Sequence, residues 1–187
     1  VNLKTADRTP ERVFLEIDTH RRLGDWLYRE DQTSEAEQEY RLAIELTETS
    51  LADRIVAPSP ELGRAYAGLG NIRYYRDIDY PAALQLYERS QARGLKDLDV
   101  DYRVGFIRYA QGDYAGAVVE LVGLQEQMPQ NANLLFATAT ALYQRGDYFA
   151  AEGYYRRLID RLRARRDAIP ALRPEVNPEH FTLVNLL

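Results

Sequence analysis

The chain has 187 residues, enough for one compact domain or four to five short repeats, and 45% of it is hydrophobic, so a continuous core is within reach. It holds no run of 18 or more apolar residues, so no membrane-spanning helix is expected. A net charge of -5 argues against a general nucleic-acid binder, and the absence of cysteine excludes disulfides, thiolate metal sites and cysteine nucleophiles.

The chain starts at Val1 with no visible signal peptide and reads as a processed or excised fragment. Residues 1–9 lack periodicity and are expected to be a flexible N-terminal stretch. Thr9-Pro10-Glu11 opens a first helix that should reach about Arg29. Ser34 with Glu37 is a candidate capping box for the next helix, which the pattern carries through Asp53 and Ile55. That helix should break at Ala57-Pro58-Ser59-Pro60, where Ser59-Pro60-Glu61 reads as an N-cap, a proline at the first helical position and an acid matched to the helix dipole. Asp97, Asp99 and Asp101 read as helix-start acids, because their alternate spacing lacks the glycine and distal glutamate of a calcium loop. Gly112 and Gly146 read as left-handed helix ends, with Asp113 and Asp147 capping the helices that follow.

A period of 34 residues runs through this pattern. Gly112-Asp113-Tyr114 returns as Gly146-Asp147-Tyr148, Ala117 as Ala151, and Tyr80 with Ala83 precede Tyr114 with Ala117 by the same step. The repeats span 17–50, 63–97, 98–131 and 132–165, with an insert at 51–62 and one extra residue in the second repeat near Asp77 to Asp79. Position 8 of the repeat holds Gly24, Gly70, Gly105 and Ala139; position 20 holds Ala36, Ala83, Ala117 and Ala151; position 24 holds Tyr40, Tyr87, Leu121 and Tyr155. Small residues let two helix backbones approach, large ones fill the space around them, and neither helix buries its apolar face alone. Pro174-Glu175 and Leu183-x-Asn185 echo Pro60-Glu61 and Leu69-x-Asn71, so residues 170–187 read as the start of a fifth repeat or as a capping helix.

Leu69-Gly70-Asn71, Tyr74-Tyr75, Tyr80-x-x-Ala83, Tyr87, Gly112-Asp113-Tyr114-x-x-Ala117 and Pro129 resemble the tetratricopeptide repeat (TPR). The resemblance covers roughly residues 17 to 165 and implies an all-α fold, a superhelical stack of helix-turn-helix repeats forming a right-handed α-solenoid within residues 10–169. The repeat departs from the family pattern at position 4, where His20, Asp101 and Leu135 replace the usual aromatic.

In stacked repeats of this kind the first helices line a concave face, at positions 2, 5, 9, 12 and 13. Those positions supply Tyr28, Asn71, Tyr74, Tyr102, Phe106, Tyr109, Phe136 and Tyr143, an aromatic and largely uncharged groove. Tyrosine offers apolar area and a polar tip at low entropy cost, which suits peptide capture; the other reading is that position-12 tyrosines pack between helices. The family resemblance implies that Asn71 hydrogen-bonds a bound peptide's backbone. The carboxylate clamp of chaperone-tail receptors is not matched, since Asp25 stands beside Arg21. Arg157, Arg161 and Arg165 share one helix face and form a candidate docking patch for an acidic partner or lipid headgroup, or a solvated helix end.

No catalytic arrangement is present: His20 and His180 lack partners at ligand spacing, and no phosphate loop, nucleophile elbow or dinucleotide fingerprint occurs. His20, on a core-facing position, reads as a buried hydrogen-bonded histidine. The leading expectation is a protein-protein adaptor without enzymatic activity, cofactor or metal, holding a partner's peptide segment, the N-terminal stretch being one candidate. The alternatives are a self-associating structural part of a larger machine and a small-ligand binder. The divergent repeats, proline-rich inserts and lack of cysteine are also similar to those of TPR proteins associated with the periplasmic flagella of spirochaetes. That resemblance implies a bacterial setting, periplasmic or cytoplasmic with the periplasm favoured, and an envelope or flagellar partner.

Overall fold

The computed structural model describes residues 9–129 and 131–168. The fifth repeat or capping helix, the N-terminal stretch of residues 1–8, and His180 lie outside the described residues. Among the described residues the chain is all-α: α1 (Pro10–Arg29), α2 (Thr33–Ala52), a 3-10 turn (Pro60–Gly63), α3 (Arg64–Tyr75), α4 (Tyr80–Ala92), α5 (Leu98–Ala110), α6 (Tyr114–Gly123), α7 (Ala132–Arg145) and α8 (Tyr148–Ala168). Consecutive helices pair as α1/α2, α3/α4, α5/α6 and α7/α8 in the four repeats. The chain divides into two compact units, an N-terminal one through Val100 and a C-terminal one from Asp101.

Short-range chemistry sets most helix ends. Thr9 accepts from the Arg12 N–H, Asp79 from Ala82, Asp97 from Asp99 and Val100, Asp113 from Gly116, and Asn131 from Leu134. Three expectations are corrected. Ser34 does not cap α2, because the N-cap lies two residues earlier at Gln32, and Glu37 turns instead to Arg41 and Arg73. Nor does α2 run through Ile55: it stops at Ala52, and Arg54 takes the left-handed φ of 57°. Ser59-Pro60-Glu61 opens only a 3-10 turn, since Ser59 makes no side-chain cap bond and the α-helix starts at Arg64.

Gly146 ends α7 at φ 94°, so Gly146→Ala should lower stability by about 1 kcal/mol. Gly153 sits inside α8 with nothing within 4 Å of an added Cβ, so Gly153→Ala should raise stability by roughly 0.5–1 kcal/mol. Urea denaturation of both variants checks the opposite signs.

The repeat's small residues at positions 8 and 20 are buried. Ala36, Ala83, Ala117 and Ala151 are all buried. A Cβ built on Gly24 would lie 2.8 Å from Tyr40, on Gly70 2.6 Å from Tyr87, and on Gly105 2.7 Å from Leu121. Position 8 of each first helix therefore seats the position-24 side chain of its own second helix. In the N-terminal unit Tyr40 also lies hard against Gly68 of the next repeat, so one ring joins three helices. Its cluster adds Val13, Ile17, Ala43, Leu62, Leu69 and Ile72. In the C-terminal unit the core gathers Ala117, Val118, Leu121, Leu134, Ala141, Leu142 and Ala151.

Ion pairs close the N-terminal unit between its repeats. Arg73 of α3 binds Glu37 of α2, Arg76 binds Asp31, and Glu48 accepts from Tyr66 and Arg93. Burial opposes ionisation of Glu37, but its bonds from Arg73 and Arg41 prevail and hold the carboxyl below its ordinary value. The Tyr66 hydroxyl, followed by Arg93, does the same for Glu48. Burial and then Glu48 push the Tyr66 phenol up to about 12. Carboxylates with lowered folded pKa stabilise fully above their unfolded value and lose that contribution as pH falls through the folded one. The stability of the N-terminal unit should therefore fall below about pH 4.5, the unperturbed glutamate value, and Glu37→Gln should flatten the dependence.

Candidate functional site

The predicted groove residues divide between the two units, and all of them retain solvent exposure. In the N-terminal unit they are Tyr28 at the end of α1 and Asn71 and Tyr74 on α3. Position 9 does more here than face outward. The Tyr87 hydroxyl donates to Asn71 Oδ1 at 2.9 Å, and the Tyr40 hydroxyl donates to Asp25 Oδ1 at 2.8 Å. The third repeat has Phe106 and Leu121 at the corresponding places, and the fourth has Thr140 Oγ1 at 3.1 Å from the Tyr155 hydroxyl. A polar residue at position 9 thus accompanies a tyrosine at 24, and an apolar one accompanies leucine. That rule was readable in the sequence as matched residue types, but the spacing alone did not reveal the bond.

Position-12 tyrosines are also engaged. Tyr74 stacks with Tyr80 at 5.3 Å and edge-on with Tyr75 at 4.8 Å. Tyr109 meets Tyr114 at 5.8 Å, and Tyr143 meets Tyr148 at 5.2 Å. The partner is the first residue of the second helix in each case, so these rings brace the turn between helices. The first repeat has Thr33 there, and Tyr28 instead receives the Arg76 guanidinium 5.8 Å above its ring. The position-12 rings therefore differ in how far their neighbours cover them. Tyr102 and Tyr109 pack against the C-terminal core cluster, whereas Phe136 is 54% and Tyr143 53% exposed.

The expected uncharged character fails in the first repeat. Arg21 lies between Asp18, at 3.0 Å from its Nε, and Asp25, and Asp18 also takes Arg22. Burial would raise the Asp18 pKa, but the bonds from Arg21 and Arg22 outweigh it and the carboxyl titrates low. This charge is internally neutralised, so Arg21 is not a clamp for a free carboxylate. His20 is hydrogen-bonded as expected, Nδ1 lying 2.6 Å from Glu39 Oε2, but half-buried rather than buried.

On α8, Arg157 lies 5.3 Å over the Tyr154 ring, and Arg157 and Arg165 are exposed with Arg161 partly covered. Among the described residues no group of acidic and histidine side chains is arranged to hold a metal ion, and no helix is long and apolar enough to cross a membrane.

Solved structures carry the same architecture. YrrB, a TPR protein with an unusual peptide-binding site, aligns over 80% of this chain and 70% of its own, with a TM-score of 0.66 at 18% identity. The C-terminal part of a TPR repeat-containing protein from Cytophaga hutchinsonii aligns over 98% of this chain, which spans 65% of that one, with a TM-score of 0.57 at 20% identity. No protein-family model matches the sequence, and no curated protein does. The fold is that of the tetratricopeptide-repeat proteins.

Proposed function

We propose that the chain is a non-enzymatic scaffold that holds an extended or helical segment of a partner protein on the first-helix faces of its repeats. The C-terminal unit is the principal binding surface. The observation that carries this is the pair Phe136 and Tyr143, seven residues apart on one face of α7, each more than half exposed. Beneath them Leu135, Ala139 and Leu142 are buried, so the exposed part of each ring lies over a filled core, and Tyr143 touches Tyr148 at its edge. Large exposed rings on a rigid helix are what a peptide-binding hot spot requires. YrrB, of the same fold, is described as having a peptide-binding site. Asn71 keeps a recognition role on the side of its amide nitrogen, because its oxygen is taken by Tyr87.

Selection from a random peptide library on the full chain tests the reading. Enriched peptides should share apolar or aromatic residues and should compete with one another. Failure to enrich any peptide sinks it. A structural role in a larger assembly, including the envelope or flagellar setting, is the second reading. It is favoured by apolar helix faces left open at Leu23–Trp26 and Ile159–Leu162.

A further inference from the structure

The exposed side of α7 differs in chemistry from the rest of the chain. Charged residues make up 28% of the sequence, yet residues 132–144 hold none. Asn133, Phe136, Thr140 and Tyr143 follow one another at helical spacing, and each keeps solvent exposure. The next charges along the chain neutralise each other, Arg145 Nε lying 2.6 Å from Asp147 Oδ2. A charged ligand segment therefore finds no free counter-charge on this face of α7 and loses hydration by settling there.

The polar groups on this face are neutral, and all of them can donate. Thr140 is committed, its hydroxyl donating to the Phe136 carbonyl at 2.9 Å. Among the described residues the Asn133 and Gln144 amides and the Tyr143 and Tyr148 hydroxyls have no hydrogen-bond partner. Tyr148 opens α8. Its ring is 63% exposed and meets that of Tyr143 at 5.2 Å, the planes inclined by 64°. Two exposed rings inclined in this way offer a corner with two apolar walls. Phe136 lies seven residues before Tyr143, a rise of about 10 Å along the helix.

One kind of chain matches charge, donors and spacing together. A polyproline II segment built of proline and apolar residues carries no charge, and its three-residue turn spans about 9 Å. Prolines along one edge of it recur at nearly the rise that separates Phe136 from Tyr143. Proline has no N–H, so such a segment offers carbonyl acceptors and few donors, the complement of this face. It is also stiff before it binds, so little freedom is lost on binding. An amphipathic helix, by contrast, keeps its carbonyls bonded internally and leaves the donors of this face unused.

We propose, building on the scaffold reading, that the partner segment held on α7 is a proline-rich stretch in the polyproline II conformation. It runs along α7 with prolines on Phe136 and in the corner between Tyr143 and Tyr148. Asn133, Gln144 and the two tyrosine hydroxyls donate to its carbonyls.

The test is calorimetric titration of the full chain with a capped decaproline peptide, beside a capped ten-residue Gly-Ser peptide and the library-selected peptides. Decaproline should bind saturably, compete with the selected peptides, and bind at least about tenfold more tightly than the flexible control. Phe136→Ala with Tyr143→Ala should weaken it at least about tenfold at nearly unchanged melting temperature. Tyr148→Phe, which keeps the ring and removes a donor, should weaken it about threefold. Decaproline that fails to bind, or that binds the double variant equally well, overturns the proposal. Selected peptides that lack proline and still require Phe136 and Tyr143 overturn the proline-rich partner while leaving the scaffold reading standing. If neither decaproline nor any library peptide binds, both fall.

Discussion

Tyr40→Ala should destabilise the N-terminal unit by about 3–5 kcal/mol, the usual range for deleting a buried aromatic ring. Tyr40 is 2% exposed and fills the space that Gly24 on its own repeat and Gly68 on the next leave open. Two walls of the hole are glycine backbone, which has no side chain to move into it. The loss therefore falls on the joint between repeats as well as on the repeat itself. Tyr40→Phe keeps the ring and loses only the bond to Asp25, at a cost of about 1 kcal/mol, moderated because Asp25 keeps Arg21. Urea denaturation should show the large and the small effect in that order. Equal losses for the two variants would mean that the ring's packing is not what holds the repeats together.

Phe136→Ala with Tyr143→Ala should weaken binding of a library-selected peptide at least about tenfold while leaving the melting temperature nearly unchanged. Both rings are more than half exposed, so little buried area is lost from the fold. Tyr109→Ala should behave differently. That ring packs on the core and against Tyr114, so its removal should lower stability along with binding. Calorimetric titration paired with thermal melts separates the two outcomes.

The architecture was legible because repeat packing leaves residue-type signatures at fixed intervals. Gly24, Gly70 and Gly105 at one position and Ala36, Ala83, Ala117 and Ala151 at another mark places for small side chains, and the structure sets each glycine against a side chain of its second helix and buries each alanine. Asp97 and Asp113 act through short-range bonds, which their place before helices predicts; Asp79 does the same and was not singled out. The insert was harder to read. The end of α2 depends on Arg54 adopting a left-handed backbone, and Ser59 lost its capping role to a 3-10 turn, choices made by local tertiary packing rather than by propensity.

At the candidate site, the residue types were visible but their division of labour was not. A tyrosine at position 12 has the same letter whether it packs on the core as well as on the turn, as Tyr109 does, or meets only the turn residue Tyr148 and stands half in solvent, as Tyr143 does. What separates them is how much of each ring its neighbours cover, which no periodicity reports. Likewise Asn71 looked like a free recognition amide, and half of it serves Tyr87 instead.

Chemical-shift mapping of a selected peptide on the chain, with labelled phenylalanine, tyrosine and valine side chains, tests the functional account most directly. The account predicts that Phe136 and Tyr143 move most, with Phe106 and Tyr109 following, and that Val119 and Phe149, exposed on the second helices, stay still. Shifts centred on Val119 and Phe149, with Phe136 and Tyr143 unmoved, would contradict it.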